Sequence, residues 1–163
     1  MSGLFYVGDE KMGRTVMVKC DCGFMYDHYH WGMGWASDDI REHQTILVKN
    51  GKYGAEWKRL LLSDNELQVD INYHLYQCPC CHQIYDEYSL DLIKPVNKDF
   101  HYFYSPEEVV YPFKHLCPKC KKKMKQINLY IGRFDSSKDN FEEPVICPKC
   151  GNTAIASFCG FFD

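Results

Sequence analysis

Cysteines are the residues of this 163-residue chain whose type and spacing point most directly to chemistry. Eight of its ten cysteines form four close pairs, and the pairs are Cys20 with Cys22, Cys78 with Cys81, Cys117 with Cys120, and Cys147 with Cys150. A C-x2-C turn directs two thiolates at one point, and two such turns supply the four sulfurs of a closed tetrahedral zinc site. The spacing therefore predicts two structural metal sites that together use all eight cysteines.

Other chemistries for these cysteines are less consistent with the sequence. Disulfides need an oxidising compartment, and nothing in the sequence directs export. A redox C-x2-C motif normally opens a helix after a strand, whereas Cys117-Pro-Lys-Cys120 precedes three lysines. Iron in an S4 site remains an alternative to Zn2+, because the ligand type alone does not separate the two metals. We therefore predict two zinc ions per chain, with iron as the alternative.

The order in which the four pairs combine is a separate question. Sequential pairing joins the first two pairs on one ion and the last two on the other, and it closes the shorter loops at a lower cost in chain entropy. The alternative joins the two middle pairs and the two outer pairs. We expect the sequential form, although both use the same eight sulfurs.

The cysteine motifs resemble those of zinc-ribbon proteins. Cys117-Pro-Lys-Cys120 with Cys147-Pro-Lys-Cys150-Gly151 looks like a zinc ribbon, Cys78-Pro-Cys-Cys81 like a rubredoxin-type knuckle, and Cys20-Asp-Cys22-Gly23 like a shortened knuckle. About residues 18 to 93 also resemble uncharacterised bacterial zinc-ribbon proteins in which a short helical segment separates the first two knuckles. His82 and Lys121 stand where a knuckle often carries Gly. The resemblance implies a metal-held fold and no particular reaction.

Short strands and two helices must position these turns. Alternating or β-branched segments predict strands over 14–19, 68–77, 84–93 and 100–104, with further strands beside the last two cysteine pairs. Ser37 followed by two aspartates predicts a helix that ends at Asn50-Gly51. A second short helix is predicted around 53–62, and the aromatic, glycine-containing segment 26–35 is predicted to be a loop. The predicted class is α+β: small zinc-ribbon β-hairpin modules with a helical insertion between the first two knuckles. The turn at Lys94-Pro95 is the candidate boundary between an N-terminal module, residues 1–95, and a C-terminal zinc ribbon, residues 96–163.

Charge is unevenly distributed along the chain. Residues 1–95 carry a net charge of −5 and residues 96–163 a net charge of +2, and the basic excess lies at Lys114, Lys119, Lys121, Lys122, Lys123 and Lys125. Four thiolates outweigh one Zn2+ by two charges, so two such centres would lower the formal net charge from −3 to −7. The lysines could offset that local charge, or they could contact the phosphates of a nucleic acid. We expect the first role and keep nucleic-acid binding as the alternative function, with Lys114, Lys121, Lys122, Lys123 and Lys125 as its contacts.

A protein partner is the leading functional expectation. Trp31, Met33 and Trp35 alternate in the aromatic segment, and aromatic residues and Met are enriched in interface cores. The alternative is that the two tryptophans cap the hydrophobic core. The helical segment predicted between Cys22 and Cys78 is a second candidate contact surface.

An enzyme is the least favoured expectation. The chain has no nucleophile elbow, P-loop, zinc-protease or dinucleotide motif. A thiol-based or metal-dependent enzyme would have to use Cys80 with His28 and His30. Cys159 is expected to pack as an apolar side chain.

The composition excludes several classes of protein. The longest aliphatic run is Leu60-Leu61-Leu62, far short of the roughly 20 apolar residues that span a bilayer. The first residues lack the basic and apolar regions of a signal peptide. The sequence thus predicts a cytoplasmic protein that does not enter a membrane.

Overall fold

The computed structural model describes residues 13–32, 37–95, 108–129 and 142–162 of the chain. Within these residues the chain forms ten strands, most of them short, and two consecutive helices. In chain order the elements are β1 (Gly13–Lys19), β2 (Met25–Trp31), α1 (Ser37–Lys49), α2 (Ala55–Ser63), β3 (Gln68–Val69), β4 (Tyr73–Gln77), β5 (Ile84–Tyr88), β6 (Leu92–Ile93), β7 (Val109–Tyr111), β8 (Lys125–Ile127), β9 (Glu142–Ile146) and β10 (Thr153–Phe162). The helices lie between the first two cysteine pairs, and the α+β class is confirmed.

The largest sheet joins the two ends of the described chain. Its strand order is β2-β1-β10-β9, with all neighbours antiparallel, and we call it the outer sheet. Val16, Val18, Ala154 and Ala156 alternate onto its inward face, where each is at most 1% exposed. Such alternation is what a strand with one buried face requires. The outer sheet therefore brings together turns that are far apart in the sequence.

A second sheet lies within the sequence enclosed by the first. Its order is β5-β4-β8, again antiparallel, and we call it the inner sheet. Leu75, Ile84 and Ile127 of this sheet belong to the same buried cluster as Val18 and Val145 of the outer sheet. The two sheets thus share one hydrophobic core.

The helices pack against a third, smaller sheet of order β3-β6-β7. Val48 and Leu61, one from each helix, share a core cluster with Val69 and Leu92 of that sheet. Helix α1 ends as the sequence predicts. Gly51, at φ +81°, donates to the Val48 carbonyl while the next residue, Lys52, donates to the Leu47 carbonyl. This is the Schellman pattern that glycine favours at a helix C-terminus.

Strands on either side of Pro95 pair in all three sheets: β1 with β10, β4 with β8, and β6 with β7. Whether residues 1–95 and 96–163 are separate modules stays a prediction. The expected strand over 100–104 lies outside the described residues.

One predicted loop is wrong in its first part. Residues 25–31 form β2, and Tyr29 and Trp31 both point into the core. Aromatic side chains favour strands when one face of the strand is buried, and this preference outweighs the glycines that follow. The long strands predicted over 68–77 and 84–93 are each split in two. Asp70 accepts hydrogen bonds from the Asn72 amide and side chain, and this local turn interrupts the first of them.

Candidate metal centres

Each cysteine pair lies in a tight turn where the chain reverses between antiparallel segments. The first turn connects β1 to β2, the second β4 to β5, and the fourth β9 to β10. The third turn lies between Leu116 and Lys123, which pair with each other in an antiparallel bridge. Because the turns are at strand ends, the sheets determine which pairs meet.

Three of the turns have the same backbone hydrogen bonds. In the second turn the His82 amide donates to the Cys78 carbonyl at 3.0 Å, and the Cys78 amide donates to the Gln83 carbonyl at 3.0 Å. The third and fourth turns repeat both bonds from Cys117 and Cys147. In the first turn each bond spans one residue fewer, from Gly23 to Cys20 and from Cys20 to Phe24, which accommodates its single-residue gap between cysteines. The shortened turn is therefore a variant of the same structure.

All four turns place one residue in the left-handed region of φ. Gly23 and Gly151 have φ of +87° and +76°, and His82 and Lys121, at the matching positions, have φ of +61° and +58°. Glycine adopts this region without steric cost, whereas other residues are strained there. The turn geometry is therefore kept at the two positions without glycine.

The four pairs meet in two groups of four sulfurs, and the expected sequential pairing is wrong. Cys20, Cys22, Cys147 and Cys150 form one group, which we call the outer centre. Cys78, Cys81, Cys117 and Cys120 form the other, which we call the inner centre. The physical reason is the pairing of β1 with β10, which brings the first turn to the fourth and leaves the second to meet the third. The two centres are thus nested in the sequence.

The sulfur positions fit a tetrahedral metal ion. The Sγ atoms of Cys20 and Cys150 are 3.7 Å apart, as are those of Cys22 and Cys147 and those of Cys81 and Cys117. Four sulfurs at about 2.3 Å from one ion would be about 3.8 Å from each other, whereas a disulfide bond is about 2.05 Å long. All ten cysteines are free thiols. Each group can therefore hold one metal ion through four sulfurs.

Backbone amides make one sulfur of each centre easy to ionise. Burial opposes ionisation of Cys117, yet the amides of Cys120 and Lys119 donate to its sulfur, and the pKa of Cys117 falls to about 6. The equivalent Cys147 is likewise opposed by burial, and the amides of Cys150 and Lys149 help to lower its pKa to about 7. These two thiols therefore ionise more readily than an ordinary cysteine does.

Neighbouring thiols have the opposite effect elsewhere in the two groups. The amide of Cys22 favours the Cys20 thiolate, but burial and hydrogen bonds with the surrounding thiols raise the pKa of Cys20 to about 12. Hydrogen bonding to the Cys81 thiol, together with burial, raises the pKa of Cys120 to about 12. A metal ion must displace the protons that these thiols retain, so metal binding releases protons and weakens as the pH falls.

The two cysteines outside the groups differ in position. Cys80 is exposed beside the inner centre, where its amide donates to Cys78 Sγ at 3.4 Å. Cys159, expected to pack as an apolar side chain, is also exposed, because it lies on the outward side of β10 with its sulfur 3.5 Å from Thr15 Oγ1.

The predicted partner-binding residues are only partly described. Trp31 is 6% exposed and packs edge-on against Phe158, with ring centroids 5.5 Å apart, so it belongs to the core. Met33 and Trp35 lie outside the described residues. The expected surface contact through Trp31 is therefore replaced by the alternative, a core-capping role.

The histidines of β2 do not form a third centre. His30 Nδ1 is 2.6 Å from Asp86 Oδ2, while the exposed His28 faces Asp27. Among the residues that the structure describes, no group of three or more possible metal ligands includes a histidine. The predicted ligand set therefore consists of cysteines alone.

The lysines around the third turn are on the surface. Lys114, Lys119, Lys121, Lys122, Lys123 and Lys125 are all exposed. Within the described parts of the chain, none of them lies within 4.0 Å of a carboxylate oxygen. The residues predicted to contact phosphates are thus exposed to solvent and lie within or beside the third turn in the sequence.

One feature of the sequence does indicate the nested pairing of the cysteines, although loop length does not. Cys-Pro-Lys-Cys occurs twice, and each centre receives one copy as its second turn. The identical tetrapeptides therefore mark equivalent positions in two similar centres rather than two halves of one centre. Gln77, which precedes Cys78 and bonds to Ile146, carries no sequence signal at all.

Neither helix of the described residues is long and apolar enough to cross a membrane. Comparison of the chain with models of known families, with curated proteins and with solved structures finds no match. The likeness to zinc-ribbon sites therefore rests on the two four-cysteine groups themselves.

Proposed function

We propose that both centres bind Zn2+ as a structural ion and that the protein is a non-enzymatic interaction module held in shape by two zinc ions. The observation that carries this proposal is the grouping of eight thiols into two sets of four, with the sulfurs of each set within 4.8 Å of one another. A catalytic zinc needs an open coordination position, whereas four sulfur ligands fill the shell. Ten reduced cysteines also fit a reducing compartment such as the cytoplasm.

Elemental analysis of the purified protein tests the metal. We expect two zinc atoms per chain and a colourless solution. A red protein that contains iron would replace zinc by rubredoxin-like iron sites, and a protein without either metal would contradict the proposal. The variants Cys22→Ser and Cys81→Ser, one in each centre, are each expected to reduce the zinc content.

The surface of the helices is the better candidate for a protein partner now that Trp31 belongs to the core. Ile46 of α1 and Leu62 of α2 are large apolar side chains that are 48% and 58% exposed, although both helices also contribute residues to a core. If they contact a partner, the double variant Ile46→Ser, Leu62→Ser should bind it less tightly while it keeps both zinc ions and its thermal stability.

Nucleic-acid binding is the second candidate, and the exposed lysines in and around the third turn favour it. Residues 114–125 contain six lysines and no acidic residue. Each lysine that contacts a phosphate would release counterions from the nucleic acid. The affinity of the protein for nucleic acid would therefore fall steeply as the salt concentration rises.

A binding titration with single-stranded and double-stranded oligonucleotides at several salt concentrations tests this candidate. We expect the triple variant Lys121→Gln, Lys122→Gln, Lys123→Gln to bind more weakly and to show a shallower salt dependence. The control replaces Lys52 and Lys58, which are exposed in the helical region, and should bind as the wild type does. No binding at low salt would remove this candidate and leave the protein partner.

A further inference from the structure

The two metal centres are linked by a side chain that belongs to neither ligand set. Gln77 is the last residue of β4 and immediately precedes Cys78 of the inner centre. Its Nε2 donates to the carbonyl of His82 at 2.9 Å. Since the His82 amide itself donates to the Cys78 carbonyl, this bond fixes the side chain to the turn that holds Cys78 and Cys81.

The same amide group reaches the outer centre. Gln77 Nε2 also donates to the carbonyl of Ile146 at 2.6 Å, and the Ile146 amide donates back to Gln77 Oε1 at 3.3 Å. These two bonds resemble the pair that a neighbouring strand would make with the free edge of β9. Ile146 immediately precedes Cys147, so the Gln77 amide joins the residues that lead into one ligand turn of each centre.

We infer that Gln77 is a positioning residue that couples zinc binding at the inner centre to zinc binding at the outer centre. This inference rests on the proposed function, because it supposes that both centres take Zn2+. An ion in the inner centre orders the turn that holds Gln77, and the ordered amide then holds the strand end before Cys147. The second ion meets a turn that is already in place, and its affinity rises accordingly.

The remaining contacts between the sheets show why this coupling can be removed without unfolding the protein. Far from the metal centres, Gly32 and Tyr73 exchange backbone hydrogen bonds of 2.9 and 2.7 Å between β2 and β4. The Asp86 carboxylate also accepts from the His30 amide at 2.8 Å. These links and the shared core keep the sheets packed when Gln77 is shortened to Ala.

Gln126 offers a matched control. It is a glutamine of the adjacent strand β8, and its Nε2 lies 3.1 Å from His74 Nδ1, so this contact stays within the inner sheet. Gln126→Ala thus removes an amide of the same size whose hydrogen bond joins two strands of the inner sheet.

Native mass spectrometry of metal-free protein given one equivalent of Zn2+ measures the coupling directly. Independent, equal sites leave about half of the chains with one ion, and a coupling of about tenfold lowers that share to about a quarter. We expect the wild type and Gln126→Ala to show few singly loaded chains. Gln77→Ala should raise the singly loaded share to about half or more, while the fully loaded variant keeps a cooperative thermal transition.

An equal share of singly loaded chains in the wild type and Gln77→Ala would overturn the coupling and leave the zinc sites in place. An equal rise in Gln77→Ala and Gln126→Ala would also overturn it, since the effect would then be general to the inner sheet. A wild type that takes up no zinc at any ratio would instead contradict the proposed function.

Discussion

The outer and inner centres have the same ligands and similar turns but different surroundings. In the outer centre two of the four cysteines, Cys22 and Cys150, are exposed. In the inner centre no ligand is exposed, and Cys81 and Cys120 are half-buried. The sulfurs of the outer centre are therefore easier to reach from solvent.

Although its ligands are more exposed, the outer centre lies against the larger hydrophobic cluster. Cys20 and Cys147 belong to a buried cluster of thirteen residues, which also holds Val16, Val18 and Trp31. The cluster around the inner centre has four buried residues, and Cys78 and Cys117 are two of them, beside Tyr76 and Met124. The outer turns therefore lie against the large core that the two sheets share, whereas the inner turns lie against a smaller cluster made partly of their own ligands.

The contrast suggests two uses of one kind of metal site. At the inner centre an ion would replace part of a core, because the second and third turns are otherwise joined by a small cluster and by three residue pairs between β4 and β8. At the outer centre the ion fastens the ends of a sheet that β1 and β10 already form over seven residue pairs.

Matched ligand variants compare the two centres most simply. Cys117 and Cys147 are each 0% exposed and each opens a Cys-Pro-Lys-Cys turn. Because metal loss is among the few causes of very large destabilisation, we expect Cys117→Ser to lower the free energy of unfolding by about 4 kcal/mol or more. Cys147→Ser should lower it by about 2 kcal/mol less than that, because the shared core still supports the outer sheet. Urea unfolding of both proteins in excess zinc measures the difference, and an equal or larger loss for Cys147→Ser would break the contrast.

The centre with the more exposed cysteine ligands should lose its metal ion faster. A chromophoric chelator in excess is expected to remove one zinc ion per chain quickly, from the outer centre, and the second slowly. In Cys22→Ser the fast phase should disappear, while in Cys81→Ser it should persist. Release in a single phase, or a fast phase that survives in Cys22→Ser, would show that exposure does not distinguish the centres.

The left-handed positions provide the smallest and most local comparison. Lys121 in the inner centre and Gly151 in the outer centre have equivalent conformations, and a Cβ added at Gly151 would meet no atom within 4 Å. A substitution at either position should therefore act mainly by relieving or introducing backbone strain. Lys121→Gly should stabilise the protein and Gly151→Lys destabilise it, each by about 1 kcal/mol. Thermal unfolding of the zinc-loaded variants checks the signs, and a loss of stability in Lys121→Gly would contradict the equivalence of the two turns.

The ligands could be predicted from the sequence, but their pairing could not. Close cysteine spacing is a local property, and it identifies all eight members of the two groups. The loop from Cys22 to Cys147 spans 125 residues, against 56 from Cys22 to Cys78. A doubling of loop length costs only about 0.6 kcal/mol, so chain entropy was too weak to decide the pairing. The pairing of β1 with β10 decides it, and that contact joins residues at opposite ends of the sequence.

Elements were predicted well where a local pattern controls them. The end of α1 follows from Asn50-Gly51, and the hairpin of β4 and β5 follows from alternation on both sides of Cys78-Pro-Cys-Cys81. Strand β2 was missed, because the burial of Tyr29 and Trp31 depends on the neighbouring strand β1 rather than on their own segment. The link through Gln77 was equally beyond prediction, since it joins residues 69 positions apart.

NMR of the protein loaded with 113Cd2+ identifies which cysteines share one metal ion and thereby tests the nested pairing of the ligands. Each bound cadmium couples through its sulfur ligands to the β-protons of those cysteines and thereby identifies its own ligand set. We predict two cadmium signals, one coupled to Cys20, Cys22, Cys147 and Cys150, and the other to Cys78, Cys81, Cys117 and Cys120. A cadmium ion coupled to both Cys22 and Cys78, or a single signal for the whole chain, would contradict the account.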